Sequence, residues 1–106
     1  MTIEITDSNI DTFLQEEKPL IIDFGAEWCS PCRTLAPIVE GLAAEYEDRI
    51  NVGTCDVEDN NTLATRYAIR NVPTLLFIRN GEIMERYVGM TSVETLREKF
   101  EAFIIG

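Results

Sequence analysis

The pattern of apolar and polar residues divides the chain into short strands and helices in the order β-α-β-α-β-α-β-β-α. Two continuous apolar runs, at residues 20–24 and 74–78, are typical of strands that are buried on both faces of a sheet. Apolar residues at helical spacing lie between most of the strands. The predicted strands cover residues 2–6, 20–24, 50–57, 74–78 and 83–88, and the middle two helices are predicted at residues 30–48 and 60–67.

Capping residues and prolines indicate where the first two helices begin, end or bend. Asp7 or Ser8 is expected to cap the first helix at its start. Pro19 is expected to end it, because the residue before a proline avoids the helical region. Pro37 falls inside the second helix, where it removes a hydrogen bond and is expected to produce a kink.

The second half of the chain contains a hairpin signal and a final helix. Asn80-Gly81 supplies the two positive-φ residues of a tight turn, which predicts an antiparallel edge. The alternating units before it predict parallel strands joined by right-handed crossovers. Thr91 or Ser92 is expected to cap the last helix. The predicted apolar face of that helix consists of Val93, Leu96, Phe100 and Phe103.

The composition is that of one ordinary globular domain covering residues 1–106. Apolar residues make up 45% of the chain and charged residues 26%, and the net charge is −10. Because this charge repels nucleic acid and anionic membranes, neither is expected as a partner. The chain shows no signal-peptide pattern and no apolar run of membrane-spanning length, so we expect a cytoplasmic protein.

The main candidate for chemistry is the C-x-x-C motif of Cys29 and Cys32, with Pro31 between them. The motif lies where a strand feeds a helix, and the first N–H groups of a helix carry the positive end of its dipole. Because this environment favours a thiolate, Cys29 is expected to be the exposed attacking sulfur. Cys32 is expected to be buried, with a higher pKa, and close enough to Cys29 for a disulfide. Pro31 suits a first helical turn, since it needs no backbone donor there.

A metal site is the main rival explanation for the cysteines. Structural zinc needs four ligands, whereas this chain has no histidine and no second cysteine pair, so no metal is expected. The third cysteine, Cys55, lies in a predicted strand. Free cysteine packs well when buried, so Cys55 is expected to be structural.

An ordered set of short motifs extends over nearly the whole chain: Asp23-Phe24, Ala26-Glu27-Trp28-Cys29-Ser30-Pro31-Cys32, Pro37, Val72-Pro73-Thr74, Asn80-Gly81 and Gly89. This set resembles the thioredoxin family. The resemblance implies an α/β thioredoxin fold, with a central five-stranded mixed sheet flanked by four helices. It also implies a monomeric protein disulfide reductase that acts on disulfide-containing proteins. Such a protein is reduced by thioredoxin reductase and needs no cofactor beyond its own redox-active disulfide.

The resemblance also implies roles for individual residues. By the family pattern Cys29 attacks the substrate, Cys32 resolves the mixed disulfide, and the buried Asp23 handles the proton of Cys32. Pro73 matches a cis-proline beside the disulfide, and a cis bond is rare even before proline. The substrate-binding surface implied by the family consists of Trp28, Val72, Pro73, Gly89 and Met90.

Three positions near the motif depart from the family pattern. Ser30 stands where glycine is usual, and together with Pro31 and the cis-proline it is expected to tune the redox potential. Gly25 occupies a position that is often tryptophan, so we expect open space near the active site. Thr54 aligns with a lysine that is common near the buried aspartate. Without that cation, burial is expected to raise the pKa of the aspartate.

Two other functions are alternatives to a reductase. An oxidase or isomerase of the same fold commonly has histidine inside the motif, and the Ser30-Pro31 pair favours a reductant instead. A binding module would use the surface of the fold, and its dithiol would be incidental. The presence of both cysteines together with Asp23 argues against this module.

Overall fold

The structure is a computed structural model that describes residues 1–106, and it contains one five-stranded sheet with four helices. The strands are β1 Ile3–Glu4, β2 Leu20–Gly25, β3 Asn51–Asp56, β4 Thr74–Arg79 and β5 Glu82–Val88. The helices are α1 Ile10–Leu14, α2 Ser30–Glu45, α3 Asn61–Arg66 and α4 Val93–Ile105. The element order is the predicted one, and the mixed α/β sheet confirms the expected fold class. No helix is both long enough and apolar enough to cross a membrane.

The strand that precedes the cysteine motif lies in the middle of the sheet. The strands are ordered β1-β3-β2-β4-β5; β1, β3 and β2 are parallel, whereas β4 runs antiparallel to both β2 and β5. Asp23 of β2 is therefore paired with Thr54 on one side and Leu75 on the other. A central strand with both edges paired holds its register firmly, because a slip of one residue would turn every side chain to the other face.

Side chains of the two central strands alternate between two apolar cores. Ile21 of β2 packs in a core with residues of α2 and α4, and its neighbour Ile22 packs in a second core with residues of α1 and α3. Phe77 and Ile78 of β4 divide between the same two cores. The sheet is thus covered by helices on both faces, as the continuous apolar runs predict. By the same alternation, the side chain after Ile22 lies on the α2 face.

The predicted cap of the first helix is wrong, because Asp7 caps a different helix. Helix α1 begins after Asn9, and no side chain makes a capping hydrogen bond there. The Asp7 carboxylate instead accepts a hydrogen bond from the N–H of Leu63 in α3, at 2.9 Å. The Asp7 N–H donates to the side-chain oxygen of Asn60, also at 2.9 Å. Helix α1 also ends at Leu14, before the predicted stop at the proline.

The ends of the other elements agree more closely with the prediction. Helix α2 ends at Glu45 rather than three residues later, and Pro37 lies inside it as predicted. Asn80 and Gly81 have φ values of 53° and 80°, which confirms the predicted hairpin turn. Ser92 caps α4 by accepting a hydrogen bond from Thr95, whereas Val93 is 36% exposed and does not join the apolar face as predicted.

Candidate active site

Cys29 is the N-cap residue of α2, and its sulfur accepts the hydrogen bond that an N-cap side chain usually accepts. Its backbone is extended, and the Cys32 N–H donates to the Cys29 Sγ at 3.2 Å. Pro31 lies in the first turn, where it leaves no backbone donor without a partner. The two cysteines form a disulfide with a Cα–Cα distance of 5.3 Å, as their spacing predicts.

The expectation that Cys29 is the more exposed cysteine is wrong for the disulfide form. Cys29 is 4% exposed and Cys32 is 8% exposed. The Cys29 sulfur is covered because it lies 3.7 Å from the carbonyl oxygen of Val72, which comes just before Pro73. The two cysteines are therefore approached from different sides, because Cys32 borders a cavity that Cys29 does not line.

Four of the five predicted docking residues surround the Cys29 side of the disulfide. Val72 and Pro73 are joined by a cis peptide bond, as predicted. The Gly89 N–H donates to the Pro73 carbonyl at 2.9 Å, so the end of β5 is held against the proline loop. Trp28 is 66% exposed and borders a recess that is shared with Val72. Met90 is 44% exposed, and its place at this surface rests on its position directly after Gly89 in the chain.

Ser30 lies on the surface of the first turn of α2. Its side chain is exposed, and its carbonyl oxygen accepts a hydrogen bond from the Thr34 hydroxyl at 3.3 Å. The Ser30 hydroxyl itself makes no hydrogen bond to the Cys29 sulfur in the disulfide form. Any influence of this hydroxyl on the sulfur therefore belongs to the reduced form.

Asp23 is a buried carboxylate without a compensating partner. It is 7% exposed, and its Oδ1 has no hydrogen-bond partner. Desolvation by burial raises its pKa from 3.8 to about 6, which is the direction predicted from the loss of the lysine at Thr54. A carboxyl group with this pKa can both hold and release a proton near neutral pH.

A cavity of about 290 Å³ lies beside the disulfide, in the space that Gly25 leaves open. Asp23, Cys32 and Thr54 line it, so the cavity connects the orphan carboxylate with the second cysteine. A Cβ atom added to Gly25 would lie 3.4 Å from both the Cβ and the Sγ of Cys32. The cavity confirms the open space predicted near Gly25, although a side chain at this position would begin in contact with Cys32.

The sequence pattern does not indicate the charged residues at this cavity. Glu27, Arg33 and Asp56 all line it, and an Arg33 guanidinium N–H donates to the Glu27 carbonyl oxygen at 2.5 Å. One signal was available in the sequence, since Arg33 directly follows the second cysteine. Asp56 reaches the cavity because it is the register partner of Gly25 in the neighbouring strand, which only the folded structure shows.

Cys55 packs as a structural residue. It is 2% exposed and belongs to the core beneath α1 and α3. Burial raises the pKa of its thiol to about 12, and the negative charges of Asp7 and Asp56 act in the same direction. The structure contains no group of three or more histidine, cysteine or acidic side chains that could hold a metal ion.

Comparison with known proteins identifies relatives along almost the whole chain. The family model described as thioredoxin matches residues 1–102. The thioredoxin of Buchnera aphidicola subsp. Acyrthosiphon pisum (strain APS) is 40% identical over 97 residues, which cover 91% of this chain and 90% of that relative. The thioredoxin of Porphyra purpurea is 34% identical over 102 residues, which cover 95% of each chain.

Two chloroplastic relatives are longer than this chain. The M-type thioredoxin of Pisum sativum is 40% identical over 101 residues, which cover 94% of this chain and 59% of the relative. For the M-type thioredoxin of Spinacia oleracea the covered share of the relative is 56%. The chain thus spans a little more than half the length of these relatives. Because the family model covers residues 1–102 and other relatives align nearly end to end, the chain belongs to the thioredoxin family.

Proposed function

We propose that this chain is a protein disulfide reductase, a thiol–disulfide oxidoreductase that carries electrons from a reductase to protein disulfides. The observation that supports this most directly is the Cys29–Cys32 disulfide at the start of α2, where the Cys32 N–H donates to the Cys29 sulfur. A helix start and an aimed N–H both stabilise negative charge on sulfur. Cys29 is therefore the nucleophile.

The reaction proceeds through a mixed disulfide. In the reduced protein, the Cys29 thiolate attacks one sulfur of the substrate disulfide and releases the other as a thiolate. Cys32 then loses its proton and attacks the Cys29 sulfur, which releases the second substrate thiolate and restores the Cys29–Cys32 disulfide. Two electrons pass to the substrate, and no bound cofactor takes part in either step.

Asp23 accepts the proton that Cys32 must lose before it attacks. Two observations support this role, namely the cavity that Asp23 and Cys32 both line and the raised pKa of about 6. A base with a pKa near the working pH is suited to proton transfer. The Oδ1 atom of Asp23 has no hydrogen-bond partner, so no existing hydrogen bond at this atom stabilises the ionised form.

Protein substrates dock beside the Cys29 sulfur. The docking surface consists of Trp28, Val72, Pro73, Gly89 and Met90. The exposed Trp28 and Met90 supply apolar contact area, and the proline loop supplies backbone next to the sulfur. Ser30, Pro31 and Pro73 tune the redox potential, since they adjoin the sulfurs or shape the turn that holds them.

The remaining proposals concern partners and setting. The electron donor is a thioredoxin reductase, and the substrates are disulfide-containing proteins. The chain works as a monomer with a single domain at residues 1–106, in the cytoplasm, where a reducing environment keeps the dithiol available. Net charge of −10 supports the proposal that neither nucleic acid nor a membrane is a partner.

Reduction of insulin disulfides by dithiothreitol, followed by turbidity, tests the proposed function. Wild type is expected to accelerate the reaction, Cys29→Ser to abolish the acceleration, and Cys32→Ser to accumulate a mixed disulfide with the substrate. Cys55→Ala is the matched control, because it removes the third thiol without touching the motif, and it is expected to retain activity. Failure of wild type to reduce insulin would support the binding module instead. A redox potential close to that of known oxidases would support the oxidase.

A further inference from the structure

The cavity beside Gly25 shares no lining residue with the docking surface of Trp28, Val72, Pro73, Gly89 and Met90. We infer that this cavity is a second entrance to the disulfide, through which small neutral or cationic thiols and disulfides react at the Cys32 sulfur. Reagents of this class would then bypass the surface on which protein substrates dock.

The geometry of Gly25 brings a small reagent to the sulfur of Cys32 rather than to that of Cys29. An atom placed where the Gly25 side chain would begin lies 3.4 Å from the Cys32 sulfur, which is ordinary van der Waals contact. Cys32 lines the cavity and Cys29 does not. Cys32 is also the more exposed of the two, at 8% against 4%. The cavity, at about 290 Å³, is far larger than the roughly 10–15 Å³ that a site needs to hold one water molecule.

The charges of the cavity select the class of reagent. Three acidic residues, Asp23, Glu27 and Asp56, line it against a single basic residue, Arg33. Asp23 is only 7% exposed, and its Oδ1 atom has no hydrogen-bond partner. An ammonium group beside the reacting sulfur would be attracted by the net negative charge of this lining, whereas a carboxylate or sulfonate would be repelled. Aminothiols of the cysteamine type match this environment.

The reaction at this entrance is ordinary thiol–disulfide exchange. A small thiolate forms a bond to the Cys32 sulfur while the Cys29–Cys32 bond breaks, and Cys29 leaves as a thiolate. The Cys29 sulfur is a good leaving group because it accepts the Cys32 N–H at 3.2 Å. A second small thiolate then attacks the reagent sulfur that is bonded to Cys32. A small disulfide forms, Cys32 leaves as a thiolate, and the dithiol is restored. Two small thiols are oxidised, and one protein disulfide is reduced.

Labelling of the Cys29→Ser variant tests the entrance. This variant lacks the proposed nucleophile, so the reductase reaction does not contribute to the measured rate. The variant is treated with aminoethyl or sulfonatoethyl methanethiosulfonate at about pH 8.5, the ordinary pKa of a thiol. Each rate is divided by that of free N-acetylcysteine, and the modified cysteine is mapped by mass spectrometry. We expect modification at Cys32, with the cationic reagent favoured by about fivefold or more. Equal normalised rates, or modification at Cys55, would overturn the inference.

Variants of Gly25 in the same Cys29→Ser background identify the route. Gly25→Trp is expected to slow the cationic reagent by about tenfold or more, because an indole ring fills the space through which it passes. Gly25→Ala, which adds one carbon, gives a smaller decrease and serves if the larger variant does not fold. Gly41→Ala is the control, because a Cβ there meets nothing within 4 Å. Unchanged rates in folded Gly25→Trp or Gly25→Ala would place the route elsewhere and overturn the inference.

The wild-type disulfide provides a second measurement. Its reduction by cysteamine is compared with its reduction by mercaptoacetate, each relative to a small cyclic disulfide. Cysteamine is expected to be favoured by about fivefold in wild type, and Gly25→Trp is expected to remove the preference. A preference that persists in Gly25→Trp would contradict the inference. No protein substrate is involved in these measurements. Their failure would therefore leave the reductase proposal intact, and failure of insulin reduction would leave the inference of a second entrance intact.

Discussion

The N–H of Cys32 donates a hydrogen bond to the sulfur of Cys29 across 3.2 Å, so the second cysteine of the motif stabilises charge on the first. This bond needs only the backbone of α2. It is therefore available in the reduced protein as well, where the sulfur that accepts it carries a full negative charge as thiolate. The two thiols of the reduced protein are thus chemically different although they are three residues apart.

Limiting iodoacetamide at neutral pH is expected to label Cys29 of the reduced protein first. Alkylation follows the thiolate, and the helix start together with the Cys32 N–H favours the thiolate at Cys29. Peptide mapping after partial reaction measures the distribution. Predominant labelling of Cys32 or Cys55 would contradict the assignment of the nucleophile.

Asp23→Asn is expected to stabilise the oxidised protein at neutral pH but not in acid. The folded pKa is about 6 and the unfolded value is 3.8, so the unfolded state ionises first as the pH rises. Folding stability therefore falls between these two values, by about 3 kcal/mol in all, and the asparagine variant escapes that loss. Urea unfolding at about pH 4 and about pH 8 measures the difference. The exposed Glu98→Gln is the control, and equal gains at both pH values would refute the linkage.

Asp23→Asn is also expected to slow resolution of the mixed disulfide. Cys32 would lose the base that the proposed mechanism assigns to it, while Cys29 would still attack the substrate. The decrease should be about a hundredfold, which is the lower end of the usual range for general acid–base catalysis. Rapid-quench kinetics with a disulfide peptide separates the two steps. A wild-type rate of resolution from about pH 6 to about pH 9 would exclude the proton-transfer role.

Ser30→Gly is expected to change the redox potential by no more than roughly 20 mV, since a single exposed hydrogen bond contributes about 1 kcal/mol or less. The Ser30 hydroxyl does not bond the sulfur in the disulfide form, so its stabilisation acts on the reduced form and makes wild type slightly more oxidising. The glycine variant should therefore be the more reducing. Equilibration with glutathione measures both potentials, and Ser30→Ala separates loss of the hydroxyl from loop flexibility. A more oxidising glycine variant would contradict the hydrogen-bond argument.

Asp7→Ala is expected to destabilise the protein by about 1 kcal/mol, the usual cost of losing a helix cap. The Asp7 carboxylate accepts the Leu63 N–H at 2.9 Å, and Leu63 is fully buried. Asp7→Asn keeps an acceptor and should lose less. Chemical denaturation gives the values, with the exposed Asp11→Ala as the control. A loss no larger than that of Asp11→Ala would show that α3 does not depend on this cap.

Hydrophobic patterning and turn residues together predict every element of this fold. The central strands β2 and β4 are continuous buried runs, whereas β5 buries no residue and is predicted by the Asn80-Gly81 turn before it. Element ends were less predictable. Asp7 reads as a cap for the helix that follows it, but a carboxylate is free to cap any helix start within reach. Its partner, Leu63, lies 56 residues away, and only the folded chain brings the two together.

The site was predictable where local geometry determines it and not where packing does. The strand–helix seam predicts that the cysteines lie at the start of α2 and that Cys32 is close to Cys29. The covering of Cys29 by Val72 depends on a loop more than forty residues later, so the sequence suggested an exposed sulfur instead. Gly25 predicted open space, but the charges that border the space come from three separate elements.

The position of β2 between two partners has a consequence for how the family can vary. Insertion or deletion of one residue between Leu20 and Asp23 would move the carboxylate to the opposite face, among the side chains beneath α1 and α3. The acid would then lie a whole sheet thickness from the cysteines. Substitutions around the motif, such as those proposed at Gly25 and Ser30, are expected to change its properties by degrees. A change of length within this strand would end the chemistry in one step, so the strand should tolerate replacement of residues but not a change in their number.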